Sequence, residues 1–241
     1  MKTSIVVGGS KGIGSRISDM FVKRGDKTFV VSRSINNFEG IHIPVDITNI
    51  EKTNLAFEKI FKQNPKIDYL VFSQKNSQKP KDNNYEFDFS ANAISNIINI
   101  SKKYFNNNSS IVVLSSPASQ FVLNQPLSYH MSKGAIEILV KYYAVKLGKS
   151  GIRINSLLPG TVKKKENLDF YNNNTQLTNL FNRIIPLGRQ GTEKDVSDIV
   201  SFLCSDNSSF ITGQSIFVDG GLSAVGHESL ARDLTDLSYE K

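Results

Sequence analysis

Tyr129 and Lys133 lie four residues apart. On a helix that spacing puts both side chains on one face, with Cβ atoms roughly 5–6 Å apart. A free phenol titrates near ~10 and exchanges protons poorly at neutral pH. A neighbouring ammonium stabilises the phenolate and lowers that value, making the pair a candidate acid–base device. Ser116 stands thirteen residues earlier, at the end of an apolar run. A hydroxyl there can donate to a carbonyl oxygen as negative charge develops on it. Alone, each feature has a plainer reading: Tyr-x-x-x-Lys as solvated helix surface, and Ser116 as a loop cap.

A second constellation is Gly8-Gly9-Ser10-Lys11-Gly12-Ile13-Gly14, between an apolar β-branched run and an amphipathic stretch. Glycines 8, 12 and 14 let the backbone turn tightly and approach a pyrophosphate, while the helix that follows offers unpaired N–H groups and a positive dipole end. After the second run, a carboxylate would favour NAD by binding the ribose 2′-hydroxyl. Ser32-Arg33-Ser34 stands there instead. Arg33 can pair bidentately with a 2′-phosphate, and Lys11 can reach the same group, so NADP(H) is the expected dinucleotide. Asp46, followed by Ile47, is placed to bond the adenine amino group or to cap a helix.

These residues need elements to hold them, and the chain supplies strands alternating with helices. Apolar runs at 4–7, 28–32, 41–45, 68–72, 111–115, 152–158 and 215–218 read as strands. Helical spacing marks 12–24, 50–63, 86–105, 127–149 and 192–205. Near-continuous apolar strands crossed by helices predict a parallel sheet covered on both faces. Right-handed crossovers make it a Rossmann-type, doubly wound α/β fold, with ligands at the carboxyl ends of the strands. Asn106–Asn108 and Asn172–Asn174 read as polar loops. With no linker or repeat, 1–241 reads as one domain, with a polar tail from about 226.

The 241 residues include 29 Lys+Arg and 22 Asp+Glu, a formal charge of +7. That charge is scattered apart from Lys163–Lys165, and no nucleic-acid motif accompanies it, so a solvated basic face or attraction for anionic ligands is expected. A single cysteine, Cys204, excludes an intrachain disulfide and any multi-cysteine metal site. No run approaches the roughly 18 apolar residues of a membrane span. Met1-Lys2 passes at once into the first strand pattern, so the expected location is cytoplasmic.

In order along about 3–225, the glycine turn, Asp46, Asn92, Ser116, Tyr129, Lys133, Pro159-Gly160, Ile185-Pro186-Leu187-Gly188-Arg189, Ile211-Thr212-Gly213-Gln214 and Val218-Asp219-Gly220-Gly221 resemble the short-chain dehydrogenases/reductases, most like 3-oxoacyl-carrier-protein reductases and NADPH-dependent carbonyl reductases. The resemblance implies a seven-stranded, mostly parallel sheet and an NADP(H)-dependent oxidoreductase of a ketone or aldehyde and its alcohol. It implies Tyr129 as acid or base, Lys133 on the nicotinamide ribose, Ser116 polarising the carbonyl and Asn92 holding a relay water. Asn92 as a buried polar residue bonded to helix backbone is the alternative. Pro159, Gly160 and the Val162 amide would line the cofactor, 162–184 would form a substrate lid, and subunits would assemble as tetramers or dimers. A regulatory member of the family with little turnover is the competing function. Several residues depart from the family pattern: Val7 before the first glycine, Phe72-Ser73-Gln74-Lys75 after the fourth strand, and Lys164 where a threonine is usual.

Overall fold

The computed structural model describes residues 1–35, 38–75 and 83–235. Seven strands form the main sheet: β1 (Thr3–Val7), β2 (Lys27–Ser32), β3 (Ile41–Pro44), β4 (Ile67–Phe72), β5 (Phe105–Leu114), β6 (Ile152–Pro159) and, last in the chain, Ser215–Val218. Two short strands, β7 (Val162–Lys163) and β8 (Gly191–Thr192), pair separately, which makes the last strand β9. The order in the main sheet is β3-β2-β1-β4-β5-β6-β9, and every pairing is parallel. The order reverses between β1 and β4. A crevice opens at such a switch point, outside the carboxyl ends of the strands.

Helices cover both faces, which explains why the strands are apolar throughout rather than alternating. Ile5, Val6 and Val7 are all fully buried: Ile5 and Val7 face one layer and Val6 the other. On the first face lie α2 (Ile50–Gln63), α4 (Ala93–Ser101) and α5 (Leu127–Leu147), which bring in Phe57, Ile60, Ile97, Ile98, Ile136 and Val140. On the second lie α1 (Gly12–Lys23) and α8 (Glu193–Leu203), with Ile17, Phe21, Val196, Val200 and Leu203. Each such side chain contributes about 1.5–3 kcal/mol by leaving water. Asn49 caps α2 by accepting from the Lys52 amide at 2.9 Å, and Thr192 caps α8 within a capping box closed by Asp195.

Several segments differ from the sequence expectation: Asn172 and Asn173, expected in a loop, end a helix whose C-cap is Asn174. The 86–105 stretch is not one helix: α3 (Asn83–Phe87) runs into a π turn at Asp88–Asn92 before α4 begins. Asn106–Asn108 lie inside β5 rather than in a loop. The strand absorbs them through a register shift opposite Ile67 and Tyr69 and a left-handed Asn108 at φ +61°, and Asn106 donates to Asp68 at 3.0 Å. The tail forms α9 (His227–Thr235), which packs on segment 162–184 of its own chain: Arg183 donates to the Asp233 carbonyl. That segment holds α6 (Leu168–Asn173) and α7 (Thr175–Ile184), the latter capped by Asn174 at 3.2 Å from the Leu177 amide.

Candidate active site

A cavity of about 680 Å³ lies along the carboxyl ends of β1, β2, β4, β5 and β6. Gly8, Ser10, Lys11, Gly12 and Ile13 line it from the turn after β1. Ser32, Arg33 and Ser34 join from β2, Asp46 and Ile47 from beyond β3, and Pro159, Gly160 and Val162 from β6 onward. Ser116, Tyr129 and Lys133 open on the same space.

The glycine turn is held by sterics. A Cβ on Gly14 would lie 2.2 Å from the Gly8 carbonyl oxygen, so Gly14 works behind the cavity wall, letting α1 seat against the turn. Gly8, at φ +77°, would put a Cβ 2.5 Å from the Gln74 backbone. The turn after β4 therefore packs directly on the turn after β1, and Gln74 and Lys75 are accommodated without displacing it. Ser73 still donates to the Val7 carbonyl at 2.8 Å. Lys75 lines the cavity instead of leaving it. The turn suits a pyrophosphate, because the Gly12 amide already donates to a carboxylate, Glu166 Oε1, at 2.7 Å. No acidic side chain stands in Ser32-Arg33-Ser34, where the Ser32 hydroxyl instead meets the Ser34 carbonyl and His42 Nε2, each at 3.0 Å. Asp46 does not cap α2: it accepts from the Thr48 amide and hydroxyl, at 3.1 and 2.8 Å, which fixes the turn while it faces the cavity.

On α5, Tyr129 and Lys133 share a face. Lys133 Nζ lies 5.3 Å from the centre of the tyrosine ring, and Lys133 is only 7% exposed. The Tyr129 and Ser116 side chains face the same cavity, and Ser116 is near enough to act on the titration of the phenol. Ser116 in turn is oriented by the Ala118 amide, which donates to its Oγ at 3.2 Å. The electrostatics differ from the sequence expectation. Burial holds the phenol above its usual value; Ser116 draws it down, and the charge of Glu86 pushes it up. The ammonium does not overcome this, since burial also lowers Lys133, to about 8, with Glu86 raising and Lys75 lowering it. At neutral pH the pair is a protonated phenol beside an ammonium, a combination fitted to giving a proton to a developing alkoxide.

Asn92 is not brought to this cavity. It is exposed, and its amide donates to Asp88 at 2.8 Å. The buried stripe of this segment runs through Phe89, Ser90, Ala93, Ile94, Ile97 and Ile98, so position 92 falls on the opposite face. Ser90 is the buried polar residue of the π turn, its hydroxyl donating to the Glu86 carbonyl at 2.5 Å. Sequence reading missed Glu86, because nothing in a polar stretch marks an acid that will be buried. Of the lid residues Phe170, Tyr171, Leu177, Leu180 and Phe181, Tyr171 alone lines the cavity.

A family model described as Enoyl-(Acyl carrier protein) reductase matches residues 8–223. The chain is 28% identical over 246 residues to an uncharacterised oxidoreductase of Schizosaccharomyces pombe, covering 95% of this chain and 93% of that one. It is 29% identical over 238 residues to the 3-oxoacyl-[acyl-carrier-protein] reductase FabG of Rickettsia felis, covering 93% and 98%. Among solved structures, the ligand-free aldohexose dehydrogenase of Thermoplasma acidophilum matches with a TM-score of 0.84 at 26% identity, covering 94% of this chain and 95% of that one. The switch-point crevice, its glycine cradle and the match along most of the length agree: the chain belongs to the short-chain dehydrogenase/reductase family of Rossmann-fold oxidoreductases, which act on carbonyl and alcohol groups with a nicotinamide cofactor.

Proposed function

We propose that the protein is an NADP(H)-dependent carbonyl reductase in which Tyr129 is the acid and base. The observation that carries this is the convergence of Ser116, Tyr129 and Lys133 on the cavity that the glycine turn lines, with Lys133 against the tyrosine ring. Ser116 donates to the substrate oxygen and fixes it beside the phenol. Tyr129 gives its proton to that oxygen in reduction and takes it back in oxidation. Lys133, beside the phenol, offsets the charge left on Tyr129 Oη after the proton departs. The bound dinucleotide supplies or accepts the hydride at the carbonyl carbon. Gly8, Gly12 and Ile13 would hold its pyrophosphate, and Asp46 and Ile47 its adenine end.

The preference for the 2′-phosphorylated form rests on Arg33 and Lys11, which line the cavity where an acid would favour NAD. Likeness to the Rickettsia felis reductase along nearly its whole length favours a 3-oxoacyl thioester as substrate. We also assign the chain to one cofactor-binding domain, a cytoplasmic location and a homotetramer or dimer. Along α5, Leu127, Met131, Ile138, Tyr142 and Val145 form an exposed apolar row of the kind that subunit contacts cover. A panel of ketones, aldehydes and 3-oxoacyl thioesters, assayed with NADPH and NADH side by side, tests the activity. NADPH-dependent reduction of one class is expected; binding of NADPH with no reduction across the panel would favour a regulatory protein.

A further inference from the structure

Helix α1 begins without a cap of its own. Its N-cap residue, Lys11, makes no side-chain hydrogen bond, and its first turn holds no acid. The deficit is met from 154 residues away: Glu166, in the single turn Lys165–Asn167 that opens the lid, accepts from the Gly12 amide. A carboxylate is stabilised there by the unpaired amides and the positive end of the helix dipole. The lid is braced in that position. Asn167 accepts from the Lys164 amide at 2.6 Å, and Glu193, at the start of α8, lies beside the same turn.

The same few ångströms hold three charges. A Cβ on Gly12 would lie 3.2 Å from Lys164 Cδ, 3.4 Å from Glu166 Oε2 and 3.7 Å from Glu193 Oε1. That Glu193 oxygen is buried without a hydrogen-bond partner. Lys164 and Glu166 both line the cavity that Tyr129 and Lys133 face. The amide that a dinucleotide's pyrophosphate would use is therefore held by a side chain of the lid, with a lysine of the lid beside it.

On the cofactor reading above, we propose that Glu166 is an internal competitor for the pyrophosphate and that Lys164 is a cofactor-binding residue. Binding of the dinucleotide expels the Glu166 carboxylate from Gly12, releasing the lid turn, and Lys164 exchanges its carboxylate neighbours for the incoming phosphates. Lid release and phosphate capture are then one event. Removing the charge at 166 strengthens cofactor binding, and removing the charge at 164 weakens it.

The test is an NADPH titration, followed by nicotinamide fluorescence, of the full chain and of Glu166→Gln and Lys164→Gln. Limited trypsin digestion at Lys163–Lys165 without nucleotide accompanies it, and thermal unfolding checks that each variant is folded. The expected result is that Glu166→Gln binds NADPH roughly two- to thirtyfold more tightly, the range of a carboxylate at a helix N-terminus. The variant is also cut faster in the lid, while Lys164→Gln binds more weakly. Equal or weaker binding by Glu166→Gln overturns the competition while leaving the cofactor assignment intact, as does faster cutting without an affinity change. Failure of all three proteins to bind NADPH overturns the cofactor assignment, and the competition with it.

Discussion

Burial penalises the phenolate of Tyr129 and the ammonium of Lys133, and that fixes the pH range in which they work. Lys133 is charged below about 8 and neutral above it. The value of kcat/KM for reduction, which reports the free enzyme, should hold up to about pH 8 and fall beyond it. A pH–rate profile with no descending limb there would refute this assignment, and Lys133→Met should remove the limb along with most of the activity. Ser116 and Asn92 separate just as cleanly. Ser116→Ala removes the donor at the substrate oxygen and should lower kcat by about 10²–10³-fold. Asn92→Ala trims an exposed side chain and should leave kcat within about twofold; steady-state kinetics of the two variants decide. That Tyr129, Lys133 and Ser116 meet at one cavity was legible because their spacing falls on elements of obvious pattern. Asn92 misled because its position was matched without its helical face. The apolar stripe through Phe89, Ala93, Ile94 and Ile97 already put it outside.

At the scale of elements, the sheet and its order follow from apolar runs that had to be buried on both faces, and most of their limits were readable to within a residue or two. What periodicity could not reveal were irregularities set by packing: the π turn at Asp88–Asn92, the bulged start of β5 and the contact of the lid turn with α1. Each depends on a partner far away in the chain, so no local pattern announces it. The glycine turn is the element with the least tolerance. Gly14→Ala would bring a Cβ to 2.2 Å from the Gly8 carbonyl. It should cost about 1–3 kcal/mol, as overpacking does, and weaken dinucleotide binding as the turn is forced open. Denaturant melts and NADPH titration measure both; unchanged values would show that α1 can shift away. The cations after β1 and β2 make a separate prediction. Arg33→Ala should weaken NADPH by roughly 10–100-fold, the worth of a hydrogen-bonded charge, and change NADH little. Equal losses for both would place Arg33 away from the 2′-phosphate.

For the whole molecule, the exposed row on α5 and the Tyr129–Lys133 pair occupy opposite faces of one helix. Lys133 and Val140 are buried, while Ile138 is 65% and Val145 79% exposed. Burying that row against a second subunit would hold the helix that carries Tyr129, and on the proposed assembly this would couple subunit contact to activity. Sedimentation should give a dimer or tetramer at micromolar concentration, and Ile138→Glu with Val145→Glu should shift it to monomer; a wild-type monomer would remove the link. The central claim concerns a single proton, and one variant isolates it. Tyr129→Phe keeps the ring and loses the hydroxyl that faces the cavity beside Ser116. Measured together by NADPH fluorescence and by turnover of a reducible carbonyl substrate, it should bind the dinucleotide as the wild type does. Reduction should be slower by about 10²–10⁴-fold. Turnover equal to the wild type's would contradict the account.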